Sequence, residues 1–258
     1  LSIIAFFGII LFIWRELVYD YPVVNLRVLK NFNLRIGFIL TFILGFGLYG
    51  STFIIPIYTQ SILGWTATDA GLLLVPSSLM TGFMMPIIGR MLQAGVPQKY
   101  LVSLGFTIFF IYSYWCYTII TSDTGADAFF WPLIVRGVGL GLLFVPITTL
   151  SLSTLKGKEI GDGAAMTGMT RQLGGSFGIA IITTMISRLS DSHRVNLVSH
   201  LDSSSALVQE RVQQFKMMFI SKGFAPNIAE SKAYELLDFS VTKQATILSY
   251  MDIFLYLG

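Results

Sequence analysis

Residues 128–188 read AFFWPLIVRGVGLGLLFVPITTLSLSTLKGKEIGDGAAMTGMTRQLGGSFGIAIITTMISR. Two apolar runs in this stretch flank one short charged turn, LKGKEIGDG, and each run is long enough to cross a bilayer. Each run is apolar on all sides, whereas a helix in a soluble domain needs only one apolar face. Both runs are also rich in glycine, which is typical of helices that pack closely against one another in lipid. The stretch therefore predicts an integral membrane protein.

The composition of the whole chain indicates the same class. Its mean hydropathy is +0.71, 54% of its residues are hydrophobic and 12% are charged, against about 25% charged residues in a typical soluble domain. The charges lie in short breaks between uncharged runs at 36–68, 70–89, 100–122 and 137–155. These runs lack the alternation, over roughly ten residues, of β-barrel strands. We therefore predict an all-α polytopic membrane protein.

The charge pattern divides the chain into five segments. The first and last are apolar runs of about 13 residues, which rise about 20 Å as helices and fall short of the roughly 30 Å hydrocarbon core. We expect them to be the end of a preceding transmembrane helix and the start of a last one, so that the bundle is truncated at both ends. Between them we expect a cytoplasmic basic linker, five transmembrane helices and a long outer (periplasmic) helical loop. In order, the segments are residues 1–13, 14–35, 36–188, 189–245 and 246–258.

Basic residues mark one side of the membrane. The short loops within 14–35, 90–99 and 154–162 carry Lys or Arg, and the alternate short loops carry none. By the positive-inside rule, the basic loops are cytoplasmic. The long segment 189–245 then falls on the outer side, since long loops cross regardless of charge. Its helical pattern at 205–223 fits either a cap packed on the outer rim or a docking surface for another protein.

Two arginines lie within the apolar runs. Arg136 and Arg171 are each about seven residues, or about 10 Å, inside a predicted helix. A charged side chain at such a depth normally faces the bundle interior or a water-filled cavity. A long side chain can also reach the headgroups from there. The sequence leaves both interpretations open, and it makes the two arginines candidates for a substrate or ion pathway.

Two aspartates are further candidates for that pathway. Asp252 enters the last helix from the outer side at a depth comparable to that of Arg136. A pair between them is one hypothesis, and an interfacial acid or local cap is the alternative. Asp69 stands where a helix begins, so it is a candidate either for a cap, as is Thr68, or for a cation site.

The glycines of the two runs have a packing role in this interpretation. Small residues let two helix backbones approach closely in lipid, where no hydrophobic force drives helices together. The positions predicted to pack in this way are Gly137, Gly139, Gly141, Gly174, Gly175 and Gly178.

Catalysis and metal binding find little support in the sequence. His193 and His200 both fall in the predicted outer loop, where we expect them to be solvated, and Cys116 is the only cysteine. No HExxH motif and no metal-ligand spacing occurs. We predict no catalytic residue, no metal and no cofactor. The net charge of +3 is small and dispersed, so no nucleic-acid partner is expected.

Two motifs carry a family resemblance. The pattern RG-x-G-x-G followed by a proline occupies residues 136–146, and RQLGGS-x-G-x-A occupies residues 171–180. The segment QATILSYMDIF at 244–254 is similar to the start of a last helix. Together they resemble the C-terminal half of the 14-helix drug:proton antiporter-2 (EmrB/QacA-type) branch of the major facilitator superfamily. A loop motif of that superfamily departs from the pattern here, with Gln93 and Ala94 in place of an aspartate and an arginine.

The resemblance implies a fold and a function. The fold would be the C-terminal six-helix bundle of a proton-coupled multidrug efflux antiporter that works by alternating access in the bacterial inner membrane. Its partners would be the bilayer, protons and small amphipathic substrates, often cationic, in a cavity lined by the ninth, tenth, twelfth and thirteenth helices. A periplasmic membrane-fusion adaptor could bind residues 189–245. The family's proton-coupling acids lie largely in the N-terminal half.

Two rival functions remain. A facilitator-type transporter for one dedicated substrate, such as a siderophore, a lipid or a metabolite, would share the same fold. A membrane-embedded enzyme would require an inward-facing cluster of Asp, Glu, His or Ser, which the spanning segments do not contain.

Overall fold

All regular structure in the described part of the chain is α-helical, so the predicted all-α class is confirmed. Among the described residues, five helical segments are long and apolar enough to cross a membrane. Most of the predicted helix end at 1–13 and most of the predicted linker at 14–35 lie outside the described residues. The computed structural model describes residues 32–153, 155, 157–201 and 206–258, together with Phe7, Gly8, Leu11, Trp14 and Arg15.

The helices follow one another with short connections. In chain order the described helices are α1 (Phe32–Ser61), α2 (Ala67–Leu72), α3 (Val75–Gln93), α4 (Gln98–Ile119), α5 (Ala126–Leu152), α6 (Lys158–Ser199), α7 (Ala206–Ser221) and α8 (Pro226–Leu257). The five candidate membrane spans among the described residues are α1, the pair α2 and α3 counted as one, α4, α5 and α6.

Helix α5 lies at the centre of the bundle and packs against α1, α3, α4 and α6. Its glycines allow this. A Cβ atom added to Gly137 would lie 2.5 Å from the Ser77 carbonyl oxygen on α3, and one added to Gly139 would lie 3.2 Å from the Phe109 nitrogen on α4. Two residues rotate a helix by about 200°, so alternate glycines face opposite neighbours. The two contacts bring α3 and α4 close to opposite sides of α5.

Helices α1 and α6 approach each other in the same way. A Cβ atom on Gly174 or Gly178 would come within 3.0 Å of the carbonyl oxygens of Phe42 and Phe46, respectively. These oxygens belong to the α1 backbone, which cannot move aside as a flexible side chain can. Only glycine therefore fits at these two positions, and the two backbones touch directly.

The predicted outer loop is largely helical. Helix α6 has 42 residues and α8 has 32, so they are about 63 Å and 48 Å long, longer than the roughly 30 Å hydrocarbon core. No glycine or proline interrupts residues 187–199, so the helix continues where the sequence turns polar. We call residues 189–245 the outer hairpin. Within it α7 packs on α8, and Gly223, with φ of +90°, forms the turn between them.

Candidate functional site

The Arg136 side chain lies inside the bundle, where only 3% of the residue is exposed. It donates four hydrogen bonds to α1 and α3. Nε donates to Ser51 Oγ at 2.9 Å and Nη1 donates to Ser77 Oγ at 3.0 Å. Nη2 donates to the Leu48 carbonyl oxygen at 3.3 Å and to Thr52 Oγ1. We call these four acceptor residues the Arg136 cradle.

The cradle hydroxyls are oriented by their own helix. Ser51 Oγ donates to the Gly47 carbonyl oxygen at 2.6 Å, and Thr52 Oγ1 donates to the Leu48 carbonyl oxygen at 2.7 Å. Each hydroxyl has one proton and two lone pairs. With the proton directed at the backbone, the lone pairs are left to accept from Arg136. The backbone of α1 thus orients the hydroxyl oxygens of Ser51 and Thr52 as acceptors for Arg136.

The charge of Arg136 has no counter-ion in the described part of the chain. No carboxylate there lies within 4.0 Å of its guanidinium nitrogens. Burying an arginine in a membrane costs at least about 2.5–3.5 kcal/mol on insertion scales. Four hydrogen bonds to neutral oxygens offset part of that cost, but they leave the positive charge uncompensated. A buried cation of this kind attracts an anion.

A cavity of ≈ 300 Å³ opens beside the guanidinium. We call it the Arg136 cavity. Helices α1, α3 and α5 line it, which are the ninth, tenth and twelfth helices in the numbering that the resemblance implies. Its polar side is formed by Thr52, Ser77, Ser78, Thr81 and Arg136. Its apolar wall is formed by Leu48, Leu74, Met85, Leu140 and Phe144.

Thr81 fixes the α3 side of the cavity to α5. Its Oγ1 lies 2.8 Å from the Ser77 carbonyl oxygen and 3.1 Å from the Gly137 carbonyl oxygen. The second contact joins two helices through the residue next to Arg136. Because Gly137 also allows close approach there, the cavity wall is held at a fixed distance from the guanidinium.

Arg171, on α6, has a different environment. Its guanidinium carbon lies 4.0 Å from the centroid of the Phe144 ring, within the range of a cation–π contact. Its Nη2 reaches Thr148 Oγ1 only at 3.5 Å, and its buried Nε has no hydrogen-bond partner among the described residues. The side chain is half-buried. Phe144 thus connects Arg171 of the thirteenth helix to the Arg136 cavity.

Asp252 does not pair with Arg136, so that hypothesis is wrong. Its Oδ2 lies 2.7 Å from His193 Nε2, and the two side chains are 33% and 26% exposed. His193 belongs to α6 and is not a solvated loop residue, because α6 continues beyond the predicted membrane surface. Ser190 and Thr246 add a second polar contact between α6 and α8, with their hydroxyl oxygens 3.1 Å apart.

Asp69 lies apart from the Arg136 cavity, at the first turn of α2. Thr66, rather than Thr68 or Asp69, is the N-cap: its Oγ1 accepts from the Asp69 backbone nitrogen at 3.2 Å and donates to the Asp69 carboxylate at 2.7 Å. This arrangement satisfies a free N–H group of the helix start. Asp69 also lines an outer cavity of ≈ 470 Å³ with Asp127 and Trp65.

The hydroxyls of the cradle were missed by the sequence reasoning. Ser51, Thr52 and Ser77 are uncharged and lie in apolar runs, where single hydroxyls also bond to their own backbone. Hydroxyls buried between membrane helices commonly bond across the helix contact. That general preference was the one available signal, and it does not say which helix supplies the donor.

No group of three or more His, Cys, Asp and Glu residues that could hold a metal occurs in the part of the chain that the structure describes. Cys116 is buried. The Arg136 cavity can therefore offer hydrogen bonds, one positive charge and apolar contact, which are means of binding a small molecule.

Comparison with known proteins identifies relatives across the whole chain. The family model described as Major Facilitator Superfamily matches residues 1–179. The fatty acid resistance protein FarB of Neisseria gonorrhoeae is 30% identical over 256 residues, which are 99% of this chain and 48% of that protein. The multidrug export protein EmrB of Escherichia coli K12 is 30% identical over 257 residues, 98% of this chain and 48% of that protein.

A third relative is the lincomycin resistance protein LmrB of Listeria innocua, 32% identical over 177 residues, which are 69% of this chain and 37% of that protein. The chain spans about half the length of the curated relatives that it matches over nearly all its residues. What the complete protein does is therefore a matter for proposal.

Proposed function

The chain belongs to the major facilitator superfamily, and from this membership we propose that it is the C-terminal bundle of a proton-coupled multidrug efflux antiporter that works by alternating access. It is a multi-pass protein of the bacterial inner membrane. The names of its relatives, which include multidrug export and antibiotic resistance proteins, support export of small toxic molecules. The observation that carries the proposal is the Arg136 cavity.

The cavity has the features of one wall of a transport site. Three spanning helices line it, and it combines an apolar wall with a few polar groups, as small-molecule sites do. Transporters of this architecture bind substrate near the bilayer midplane, between two helical halves. We propose that the other half of the complete protein closes the Arg136 cavity from the opposite side.

The glycine contacts favour movement of this bundle as one body. Gly137 and Gly139 hold α5 against its neighbours, and Gly174 and Gly178 hold α6 against α1. Direct backbone contacts leave little room for helices to slide past one another. Alternating access would then proceed by rocking of the whole bundle against the other half.

Proton coupling in this proposal depends on the other half of the protein. Among the described residues, no Asp or Glu lines the Arg136 cavity. Asp252 is paired with His193, and the Asp69 carboxylate accepts a hydrogen bond from Thr66, the N-cap of α2. Neither carboxylate can exchange a proton with a substrate at Arg136 without leaving its partner. The coupling acids are therefore assigned to the N-terminal half.

The outer hairpin is the proposed contact for a periplasmic membrane-fusion adaptor. It carries large apolar side chains that are about half or more exposed: Val195, Met217, Tyr234 and Phe239. Isolated exposed apolar residues are ordinary, so the proposal rests on their position on an outer extension of three helices. Replacing Met217 and Phe239 by serine should reduce co-purification with the adaptor of the same strain while the level of the transporter is unchanged. Undiminished co-purification would exclude these side chains from the contact.

The function is tested by dye efflux from a pump-deficient bacterial strain. The complete protein should lower accumulation of a lipophilic cationic dye, and an uncoupler should abolish the effect. The control is the same strain with an empty vector at equal growth. A well-expressed protein that moves no dye would favour a transporter dedicated to one siderophore, lipid or metabolite. Efflux that continues with the uncoupler would exclude coupling to the proton gradient. We propose a transporter and not an enzyme.

A further inference from the structure

The Arg171 guanidinium has N–H donors that the described residues do not use. A guanidinium has five such donors. In the described part of the chain, Arg171 makes one hydrogen bond with this group, from Nη2 to Thr148 Oγ1 at 3.5 Å, and its buried Nε has no partner there. The Phe144 ring contacts the face of the guanidinium, whereas the N–H donors lie along its edge. Arg171 therefore lacks hydrogen-bond acceptors.

The charge of Arg171 also lacks a counter-ion. No carboxylate in the described ranges lies within 4.0 Å of its nitrogens. The side chain is half-buried, so its charge is neither fully hydrated nor paired. Such a charge within a membrane span is costly unless an anion compensates it. Arg136 is enclosed by its cradle, whereas Arg171 can be reached by a group from outside the bundle.

The exposed surface of α6 beside Arg171 has two different sides. Gln172 and Ser176 are exposed about one turn apart, within a candidate membrane span. Leu173 and Phe177 are each one residue further along, so they lie on a side that is rotated by about 100°. Hydrocarbon tails suit the two apolar side chains, but they offer no hydrogen bond to an exposed amide. The polar side is therefore suited to a protein neighbour.

The other half of the transporter is the neighbour that fits. The chain spans about half the length of its relatives, so a second half of similar size adjoins it in the proposed protein. Phe144 contacts Arg171 and lines the Arg136 cavity, so Arg171 lies at the edge of the wall that the second half closes. A lipid headgroup fits less well, because nine residues of helix, about 13 Å, separate Arg171 from Asp162 near the cytoplasmic end of α6.

We infer that Arg171 is the docking point for a carboxylate of the other half, carried by a spanning helix that packs on the Gln172 and Ser176 side of α6. The inference rests on the proposed function, since it requires two halves that close on one cavity. A guanidinium binds a carboxylate through charge-assisted hydrogen bonds, and its planar fork can make two of them at once. The contact forms in one access state and breaks in the other, as the halves rock.

Zero-length cross-linking tests the partner directly. A carbodiimide joins a lysine amine to a carboxylate that touches it, and the arginine of the wild type does not react in this way. In Arg171→Lys of the complete protein in membranes, dicyclohexylcarbodiimide should join position 171 to an Asp or Glu of the other half, identified by mass spectrometry of the digest. Arg188→Lys, which places the same amine at an exposed position of α6, is the matched control. Its yield of such a product should be at least about tenfold lower, since no pairing charge is expected to hold a carboxylate there.

The outcomes separate the inference from the exporter proposal. A cross-link from position 171 to the other half supports the inference whether or not the protein moves dye. A cross-link confined to this chain, or a yield no higher than that of Arg188→Lys, overturns the inference even if dye efflux is normal. A well-expressed wild type that moves no dye overturns the exporter proposal, and the cross-link still decides whether the two halves meet at Arg171.

Neutralisation with rescue is a second test, which does not depend on the reactivity of a lysine. Arg171→Gln leaves the partner carboxylate buried without its cation, so the initial rate of dye efflux should fall about tenfold. Each Asp and Glu in the predicted spans of the other half is then replaced by Asn or Gln in the Arg171→Gln protein. One replacement should restore at least about half of the wild-type rate, because it removes the unpaired charge.

Two results of the rescue experiment would overturn the inference. One is unchanged efflux in Arg171→Gln, or a loss that no second substitution restores. The other is a difference between wild type and Arg171→Gln that appears only in vesicles containing anionic lipid and vanishes in phosphatidylcholine, which would assign a lipid headgroup to Arg171. Arg188→Gln should keep the wild-type rate in both kinds of vesicle.

Discussion

Helices α5 and α6 contain the same residue types and have very different surroundings. Each contains a glycine-rich apolar run with an arginine in it, Arg136 in α5 and Arg171 in α6. Helix α5 packs against four other helices, and Arg136 donates four hydrogen bonds inside the bundle. Helix α6 packs mainly on α1 and α8, and Arg171 lies over an aromatic ring with one long hydrogen bond. The neighbouring helices, rather than the depth of the residue, decide what each arginine contacts.

The comparison also distinguishes two ways to hold a guanidinium in lipid. Arg136 uses its planar fork of donors, which needs oxygen acceptors from two helices at once. Arg171 uses the face of the group, which needs only one aromatic side chain. The fork of hydrogen bonds fixes the position and direction of the Arg136 guanidinium, whereas stacking on Phe144 does not use the N–H donors of Arg171. Four experiments with substituted proteins can break or sharpen this contrast.

The largest effect is expected from filling a glycine contact in α5. Gly137→Leu would place a side chain against the Ser77 carbonyl oxygen, 2.5 Å from an added Cβ. The added side chain would clash with backbone and not with a flexible side chain, so α3 must move to accommodate it. This movement costs about 1–3 kcal/mol or more in stability. We expect loss of monodisperse protein in size-exclusion chromatography. Gly168→Leu on α6 is the control, since nothing lies within 4 Å of its added Cβ. Normal yield of Gly137→Leu would contradict the close packing.

The next effect concerns the acceptors of the two arginines. Ser51→Ala removes the acceptor of Nε and leaves a buried charged donor unpaired, so we expect a loss of about 1–3 kcal/mol in stability. Thr148→Val removes the 3.5 Å contact of Arg171 and should change stability by less than about 0.5 kcal/mol. Thermal unfolding of the complete protein in detergent measures both. Equal shifts for the two variants would remove the distinction between the arginines.

A smaller effect should isolate the stacking of Arg171. Phe144→Leu keeps an apolar side chain but removes the ring, and the lost cation–π interaction amounts to about 0.5–2 kcal/mol. Measuring Phe144→Leu, Arg171→Gln and the double variant gives the coupling between the two side chains. Additive effects would show that the stacking contributes nothing. A Phe144→Leu, Arg136→Gln cycle is the comparison, and we expect a smaller coupling there.

The smallest effect is expected where α6 leaves the membrane. Asp252→Asn weakens the pair with His193, which is about a quarter to a third exposed, and pairs in contact with water contribute about 0–1 kcal/mol. Limited proteolysis of the outer hairpin measures local opening at this contact. We expect at most a twofold faster cleavage, the change that about 0.4 kcal/mol produces. Cleavage accelerated tenfold would mean that this pair, unlike an exposed one, holds α6 against α8.

The sequence was sufficient for the class and for the candidate membrane spans. Each of these follows from hydrophobicity and counting alone. The cradle was not predictable, because Ser51 and Ser77 are far apart in the chain and only packing brings their hydroxyls to one guanidinium. The hypothesis of an Asp252–Arg136 pair failed for a related reason, because two residues at a comparable predicted depth need not lie on helix faces that touch.

Element ends show the same limit. The polar residues after 187 indicated that the chain leaves the bilayer, and they do not indicate that a helix ends. Helix α6 continues to Ser199 because nothing in the sequence breaks it. The sequence prediction placed the N-cap of α2 two or three residues too late, at Thr68 or Asp69. Thr66, Thr68 and Asp69 are all good caps, and only the backbone geometry selects Thr66.

The length of α6 has a mechanical consequence. A helix of 42 residues is a rod of about 63 Å, and a tilt of about 10° displaces its far end by about 11 Å. Small rotations about the Lys158 end of α6 are thereby magnified at Ser199. The lever also works in reverse. A partner bound to the outer hairpin would act at a long distance from the bundle. A weak force at that point would exert a large torque on the bundle and would oppose its rotation.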